Sequence, residues 1–199
     1  MQIRDDYTDV PCGKVAAVVT HLEMLSRASA RPVRADDHLA LRRVKRPEAG
    51  WYRHHYSCIG ADWLWFSRLA IPVSTLEEII QHASVEVYAL VASGCDVGLL
   101  ELDFRVAHEC ELAFFGVTPE LIGSGAGRYL MNAAIACAWA RPIHRFWVHT
   151  CTLDHPGALA FYRRSGFVPI RQQIEIADDP RLAGVLPMSA APQVPIYPR

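Results

Sequence analysis

The sequence predicts a single mixed α/β domain built on one sheet, and three observations carry that prediction. A chain of 199 residues has the length of one compact unit, at roughly 150 residues per domain. A hydrophobic share of 51% against 21% charged residues supplies a sizeable core and excludes a disordered, collagenous or coiled-coil chain. The hydrophobic period also changes along the chain, with strand-like segments in the first half and a β-α-β-α-β order in the second.

The elements follow in order. Residues 14–25 and 38–44 are apolar and β-branched enough for strands, and 48–58 and 74–83 read as helices. Ser74, with Glu77 and Glu78 after it, is close to a capping box. Residues 85–92 and 97–105 form strands around Ser93-Gly94-Cys95-Asp96, a hairpin loop whose glycine supplies positive φ. A further strand over 109–117 stops at Thr118 and Pro119. A glycine-rich turn then opens a helix over 124–140, with Ala126, Leu130, Ala133, Ala134 and Cys137 on one stripe. Residues 145–150 alternate little, as in a strand covered on both faces. Pro156 starts and Gly166 ends a short helix, and 167–176 is the last strand. Residues 14–176 thus form the domain, after an N-terminal arm over 1–13. The stretch 177–199 carries Pro180, Pro187, Pro192, Pro195 and Pro198, so it reads as a tail laid on the surface or left mobile.

Charge and cysteine usage narrow the function. A formal net charge of −1 gives no basic field, so nucleic acid is not an expected partner. No apolar run reaches the 18 or so residues of a membrane span, and Met1 to Asp6 lacks a cationic-then-apolar export signal. The six cysteines stand singly, which reads as reduced thiols in a cytoplasmic protein, and no ligand spacing calls for a metal.

The most informative stretch runs from Val117 to Arg128, where Gly123, Gly125 and Gly127 alternate between a strand end and a helix start. Backbone N–H groups there can close around a phosphate or diphosphate, aided by the helix dipole. A flexible turn that merely lets helix and strand pack closely is an equal alternative. A dinucleotide fingerprint needs glycine where Arg128 stands, and the G-K-[ST] of a P-loop is absent.

Phe114-Phe-Gly-Val-Thr-Pro-Glu120, the turn from Ile122 to Arg128 and Tyr129-Leu-Met131 resemble motif A of the GNAT-type N-acetyltransferases. Gly125 and Gly127 match its two small positions, while Ile122 stands where Arg or Gln is usual. The segment from His155 to Phe167 resembles motif B through Ala158, Tyr162, Gly166 and Phe167, with His155 in place of the frequent Asn. The resemblance covers residues 85–176 well and 38–84 by element order. It implies a central, mostly antiparallel twisted sheet, splayed at the family's fourth strand and flanked by helices.

The same resemblance implies acetyl-CoA as donor and a primary amine of a small molecule or peptide as acceptor, reacting directly in a ternary complex. Phe115, Gly116 and Val117 would offer backbone groups to pantetheine, with the Val117 N–H on the acyl oxygen. Gly123, Ser124, Gly125, Ala126, Gly127 and Arg128 would cradle the pyrophosphate, and His155 would lie beside the cofactor. Tyr162 matches the general acid that also touches CoA, against the plainer reading of an amphipathic core residue. Glu111 aligns with a general base, with Glu109 as its competitor and a solvated strand-end carboxylate as the alternative. Strand alternation predicts that Glu111 shares a face with Ala113 and Phe115.

Two rivals remain. One is a non-catalytic acyl-CoA-binding module on the same scaffold. Another is a thiol hydrolase using Cys151 and His155, residues that cluster with His149 and Asp154 after the strand over 145–150. Structural capping by Asp154 or His155 is the plainer account of that cluster. Residues 51–66 hold Trp51, Tyr52, Tyr56, Trp63, Trp65 and Phe66, of which one or two are expected to line the amine pocket. Dimers are frequent in similar proteins, so a homodimer stays open.

Overall fold

A computed structural model describes residues 7–33 and 38–198. The strands are β1 (Lys14–Met24), β2 (Leu39–Val44), β3 (Val85–Ala92), β4 (Cys95–Asp103), β5 (Glu109–Val117), β6 (Arg145–Cys151) and β7 (Val168–Asp178). The helices are α1 (Ala49–Gly60), α2 (Ser67–Ala70), α3 (Val73–Ile80), α4 (Ala126–Ala138) and α5 (Ala158–Arg164). All seven strands join one sheet in the order β2-β3-β4-β5-β6-β1-β7. Every pairing is antiparallel except that of β5 with β6, which are parallel only where residues 109–111 face 145–147. Beyond Glu111 the two strands diverge, so one edge of β5 lacks a β6 partner over 112–117. This is the expected splay, one strand later in the chain because β1 comes first.

The sheet is covered on both faces. Leu130, Met131, Ala134 and Ile135 of α4 pack with Leu100, Leu102, Leu112, Phe146 and Val148 on one side. On the other, Tyr52, Tyr56 and Ile59 of α1 and Leu76 and Ile80 of α3 meet Val85, Val87 and Leu99. Gly116 is needed at this second contact, because a Cβ there would stand 2.4 Å from Ile59 Cγ2.

Local chemistry shifts two boundaries. The helix expected from Ser74 starts one residue earlier, at Val73, after the extended Pro72. Ser74 makes no cap bond, because the Pro72 carbonyl already accepts the Leu76 N–H. The hairpin loop is only Ser93-Gly94, both at positive φ (49° and 81°), the twist that suits a two-residue connection. Cys95 and Asp96 therefore belong to β4, opposite Ala92 and Val91.

In β5 the register slips by one residue, with Phe114 opposite Glu101 but Leu112 opposite Leu102. Ala113 is the extra residue of a bulge, and side-chain parity reverses across it. Phe114 therefore joins Tyr56 and Trp65, whereas Phe115 turns to the opposite face and meets Phe161 and Tyr162. The simple alternation that put Glu111 and Phe115 on one face fails for this reason.

The stretch after β7 is laid down on the domain around its own small core. Leu186, Ala190 and Ala191 cluster with Val15 and Leu64. Arg181, 3% exposed, pairs with Asp179 at 2.7 Å and donates to the carbonyls of Ala190, Ala191 and Val194. Gln193 reaches the Asp62 carbonyl, and the Gly13 N–H donates to Tyr197. Of the N-terminal arm, residues 1–6 lie outside the described residues.

Candidate active site

The diverging edge of β5, the turn before α4, α5 and the segment from α1 to α2 enclose one cavity of about 1260 Å³. That exceeds the roughly 300–1,000 Å³ of an ordinary small-molecule site, so two reactants can occupy it together.

At one end lies the glycine turn. Gly123 (φ 85°) and Gly125 (φ 104°) are left-handed, a conformation that a side chain would strain. Within the turn, the Ser124 N–H donates to Leu121, the Ala126 N–H to Ser124 Oγ, and the Arg128 N–H to Gly125. The N–H groups of Gly123, Gly125 and Gly127 have no acceptor among the described residues. No atom lies within 4 Å of where their Cβ atoms would stand, so a ligand can approach the backbone directly. Unpaired N–H groups at a helix start are an anion site. Ser124 and Arg128 line the cavity, whereas Ala126 is turned into the core and takes no part in the lining.

Tyr162 sits midway, 8% exposed, with its ring edge toward Phe115 and Phe167. Its hydroxyl has no hydrogen-bond partner among the described residues, and the residue lines the cavity. Burial, then the charge of Asp154, pushes the phenol above its ordinary range, so it stays protonated at neutral pH. Phe115, Gly116, Val117 and His155 line the same cavity.

Glu111 marks the far end. Burial, followed by the charges of Asp103 and Glu101, raises its carboxyl to about 7. His149 Nδ1 stands 3.6 Å away, and burial lowers that imidazole, leaving it neutral near pH 7. A carboxyl poised there suits proton abstraction. Its competitor Glu109 is instead paired with Arg145 at 3.1 Å and does not line this cavity.

The acceptor-side wall comes from the aromatic segment, through Tyr56, Trp63, Trp65 and Phe66, while Trp51 and Tyr52 stay out of it. Trp65 Nε1 donates to Asp154 at 3.2 Å, and the Trp63 ring meets His155 edge-on at 5.1 Å. Asp154 also accepts from Thr150 Oγ1 and the Cys151 N–H, so it caps the end of β6 and anchors the wall at once. His155 Nδ1 accepts the Gly157 N–H. The Cys151 thiol is pushed up to about 11 by burial and by Asp154, which argues against a Cys-His nucleophile. Among the described residues no group of three or more His, Cys, Asp or Glu side chains could hold a metal, and no helix is long and apolar enough to cross a membrane.

Sequence reasoning missed Arg68. It pairs with the fully buried Glu101 at 2.6 Å, lies 5.0 Å over Phe114 and lines the acceptor end. Tyr52 donates to the other Glu101 oxygen, so the Arg68 charge is compensated. Arg105 is likewise compensated by Asp103 at 2.6 Å. Both arginines are thus paired, whereas Glu111 and Glu175 line the cavity with no arginine or lysine partner among the described residues, so this end turns acidic as Glu111 ionises through about pH 7. No spacing rule links residues 68, 101 and 111; only the strand pairing and the fold of α2 bring them together.

Comparison with known proteins agrees with this architecture. The fold is shared with solved acetyltransferase structures: a GCN5-related N-acetyltransferase from Sphaerobacter thermophilus superposes with a TM-score of 0.59 at 15% identity, over 82% of this chain and 52% of that one. An aminoglycoside acetyltransferase, meta-AAC0020, from an uncultured soil metagenomic sample gives 0.54 at 16%, over 66% and 90%. A functionally unknown conserved protein from Staphylococcus epidermidis gives 0.57 at 17%, over 84% of this chain and 63% of its own length. No curated protein matches the sequence. The model of the acetyltransferase (GNAT) family matches residues 51–167, more than half of the chain. The chain belongs to the GNAT acetyltransferase family.

Proposed function

We propose that this protein transfers an acetyl group from acetyl-CoA to a primary amine of a small molecule or peptide, by direct attack in a ternary complex. One observation carries the reading: three unpaired glycine N–H groups, the open edge of β5 and the Tyr162 hydroxyl all face a single cavity. The glycine N–H groups and the positive end of α4 hold the diphosphate. Phe115, Gly116 and Val117 offer backbone groups to the pantetheine arm, and the Val117 N–H polarises the acyl oxygen. Bound acetyl-CoA supplies the activated acyl group.

Glu111 accepts the ammonium proton, directly or through water. Tyr162 donates to the departing sulfur. A thiol titrates near 8.5 and this phenol well above 10, so complete proton transfer from Tyr162 is uphill while the thiolate forms. The phenol acts first as a hydrogen-bond donor to the growing negative charge and supplies the proton as CoA leaves. The acidic acceptor end favours a cationic acceptor, in line with the aminoglycoside enzyme that shares the fold. The six free cysteines support a cytoplasmic setting.

The test is steady-state CoA release with polyamines, aminoglycosides, amino acids and peptides as acceptors. Turnover with cationic amines is the expected result. Ile122, standing where Arg or Gln is usual, favours the second reading, a non-catalytic acyl-CoA-binding module; CoA binding with no turnover on any amine would establish that instead.

A pH dependence follows from Glu111. A base must be ionised, so kcat/KM is expected to rise with pH through about 7 and then level off. Glu111→Gln removes that limb and lowers kcat/KM by roughly 100-fold. An unchanged pH profile in the variant would assign the base elsewhere.

A further inference from the structure

Three arginines outside the acceptor end line the same cavity, at the mouth beside the glycine turn: Arg31, Arg128 and Arg164. None has an acidic partner among the described residues. They come from separate elements, and the packing shows how they are gathered. Arg128 lies in the first turn of α4, and Arg164 is the last residue of α5. Arg31 arrives on the connection that leaves β1 and must cross to β2 at the far edge of the sheet.

That connection is fastened at three points. A Cβ on Gly166, just past α5, would stand 2.7 Å from Ala28 Cβ, so the strap lies directly on the end of α5. Asn132, one turn beyond Arg128 on α4, accepts the Arg31 N–H at 3.0 Å and donates to the Arg31 carbonyl at 2.8 Å. Arg128 Nη1 donates to the Pro32 carbonyl at 2.9 Å, which brings its guanidinium beside the next residue of the strap. Burial, then the like charges of Arg128 and Arg164, lowers the Arg31 guanidinium from its ordinary value. Gathering three unpaired cations opposes folding unless an anion joins them.

The diphosphate is already accommodated by the glycine N–H groups, so the arginines call for a second anion close by. A phosphate monoester carries about −1.5 to −2 charge and three acceptor oxygens, which matches several guanidinium groups well. We propose that Arg31, Arg128 and Arg164 form a phosphate-monoester site that reads the ribose 3′-phosphate of the acyl donor. This rests on the acyl-CoA reading above. It goes beyond it in assigning selectivity for the 3′-phosphorylated donor to Arg31, which lies outside the matched residues 51–167.

The experiment is calorimetry with acetyl-CoA and with acetyl-3′-dephospho-CoA, on the full-length protein and on Arg31→Ala, Arg31→Lys and Arg164→Ala. The unaltered protein is expected to bind acetyl-CoA at least about tenfold more tightly than the dephospho donor. Arg31→Ala and Arg164→Ala each shrink that ratio severalfold while leaving dephospho affinity within about twofold, and Arg31→Lys restores part of it. Equal affinities for the two donors, or variants that weaken both donors alike, overturn the monoester site and leave acyl transfer standing. Binding of neither donor overturns both the monoester site and the acyl-CoA reading.

Discussion

Tyr162→Phe is expected to lower kcat by about 100-fold or more while the KM for acetyl-CoA changes by no more than about twofold. The phenyl ring keeps its contacts with Phe115, Phe161 and Phe167, so packing and donor binding survive. What disappears is the hydroxyl, which has no hydrogen-bond partner among the described residues and belongs to a cavity-lining ring packed against Phe115 of β5. Positioned acid catalysis contributes roughly 10²–10⁴-fold, which sets the size of the loss. Because burial keeps this phenol protonated well past neutrality, its removal leaves the Glu111 limb near pH 7 in place. Steady-state kinetics from pH 6 to 9 check both statements. A variant with the parent kcat would return Tyr162 to the role of a core aromatic.

Gly125→Ala is expected to weaken acetyl-CoA binding by at least about tenfold and to destabilise the fold by roughly 1–3 kcal/mol. Gly125 is the residue before α4 and sits at φ 104°, where any Cβ is strained although nothing crowds it. Relief of that strain rotates the peptide groups on either side, and these carry the N–H groups that clasp the diphosphate. Gly127→Ala separates strain from crowding, because its Cβ enters the same approach to the backbone while the dihedral angles stay as they are. It lies inside the first turn of α4 at ordinary dihedral angles with open space around it, so a methyl group there gains about 0.5–1 kcal/mol of helix stability. Calorimetric titration together with thermal melting separates the two. A Gly125→Ala variant that binds the donor as tightly as the parent would mean that the turn does not hold the phosphate through its backbone.

The C-terminal stretch stiffens the acceptor wall from behind. Its core contains Leu64, with Phe66 and Leu153 packed against it, and all three line the cavity. Gln193 ties the same segment to the Asp62 carbonyl at 2.7 Å. A proline-rich tail thus becomes part of the support of the site, because the buried Arg181 gathers the carbonyls of Ala190, Ala191 and Val194 onto one guanidinium.

Local chemistry in the sequence was enough for the element order, the single sheet, the glycine turn and the position of Tyr162. Strand alternation, helix stripes and glycines between a strand and a helix act over a few residues, so they are written in adjacent positions. The tertiary structure alone decided the rest. The bulge at Ala113 depends on how β5 registers against β4, and it sends Phe114 and Phe115 to opposite faces. The placement of β1 between β6 and β7 is a long-range pairing, and it draws Arg31 across to α4. Arg68 reaches the acceptor end through a buried carboxylate 33 residues away in the chain. Contacts of that separation are selected by which surfaces bury together and which charges must be paired, and no short window of sequence encodes either.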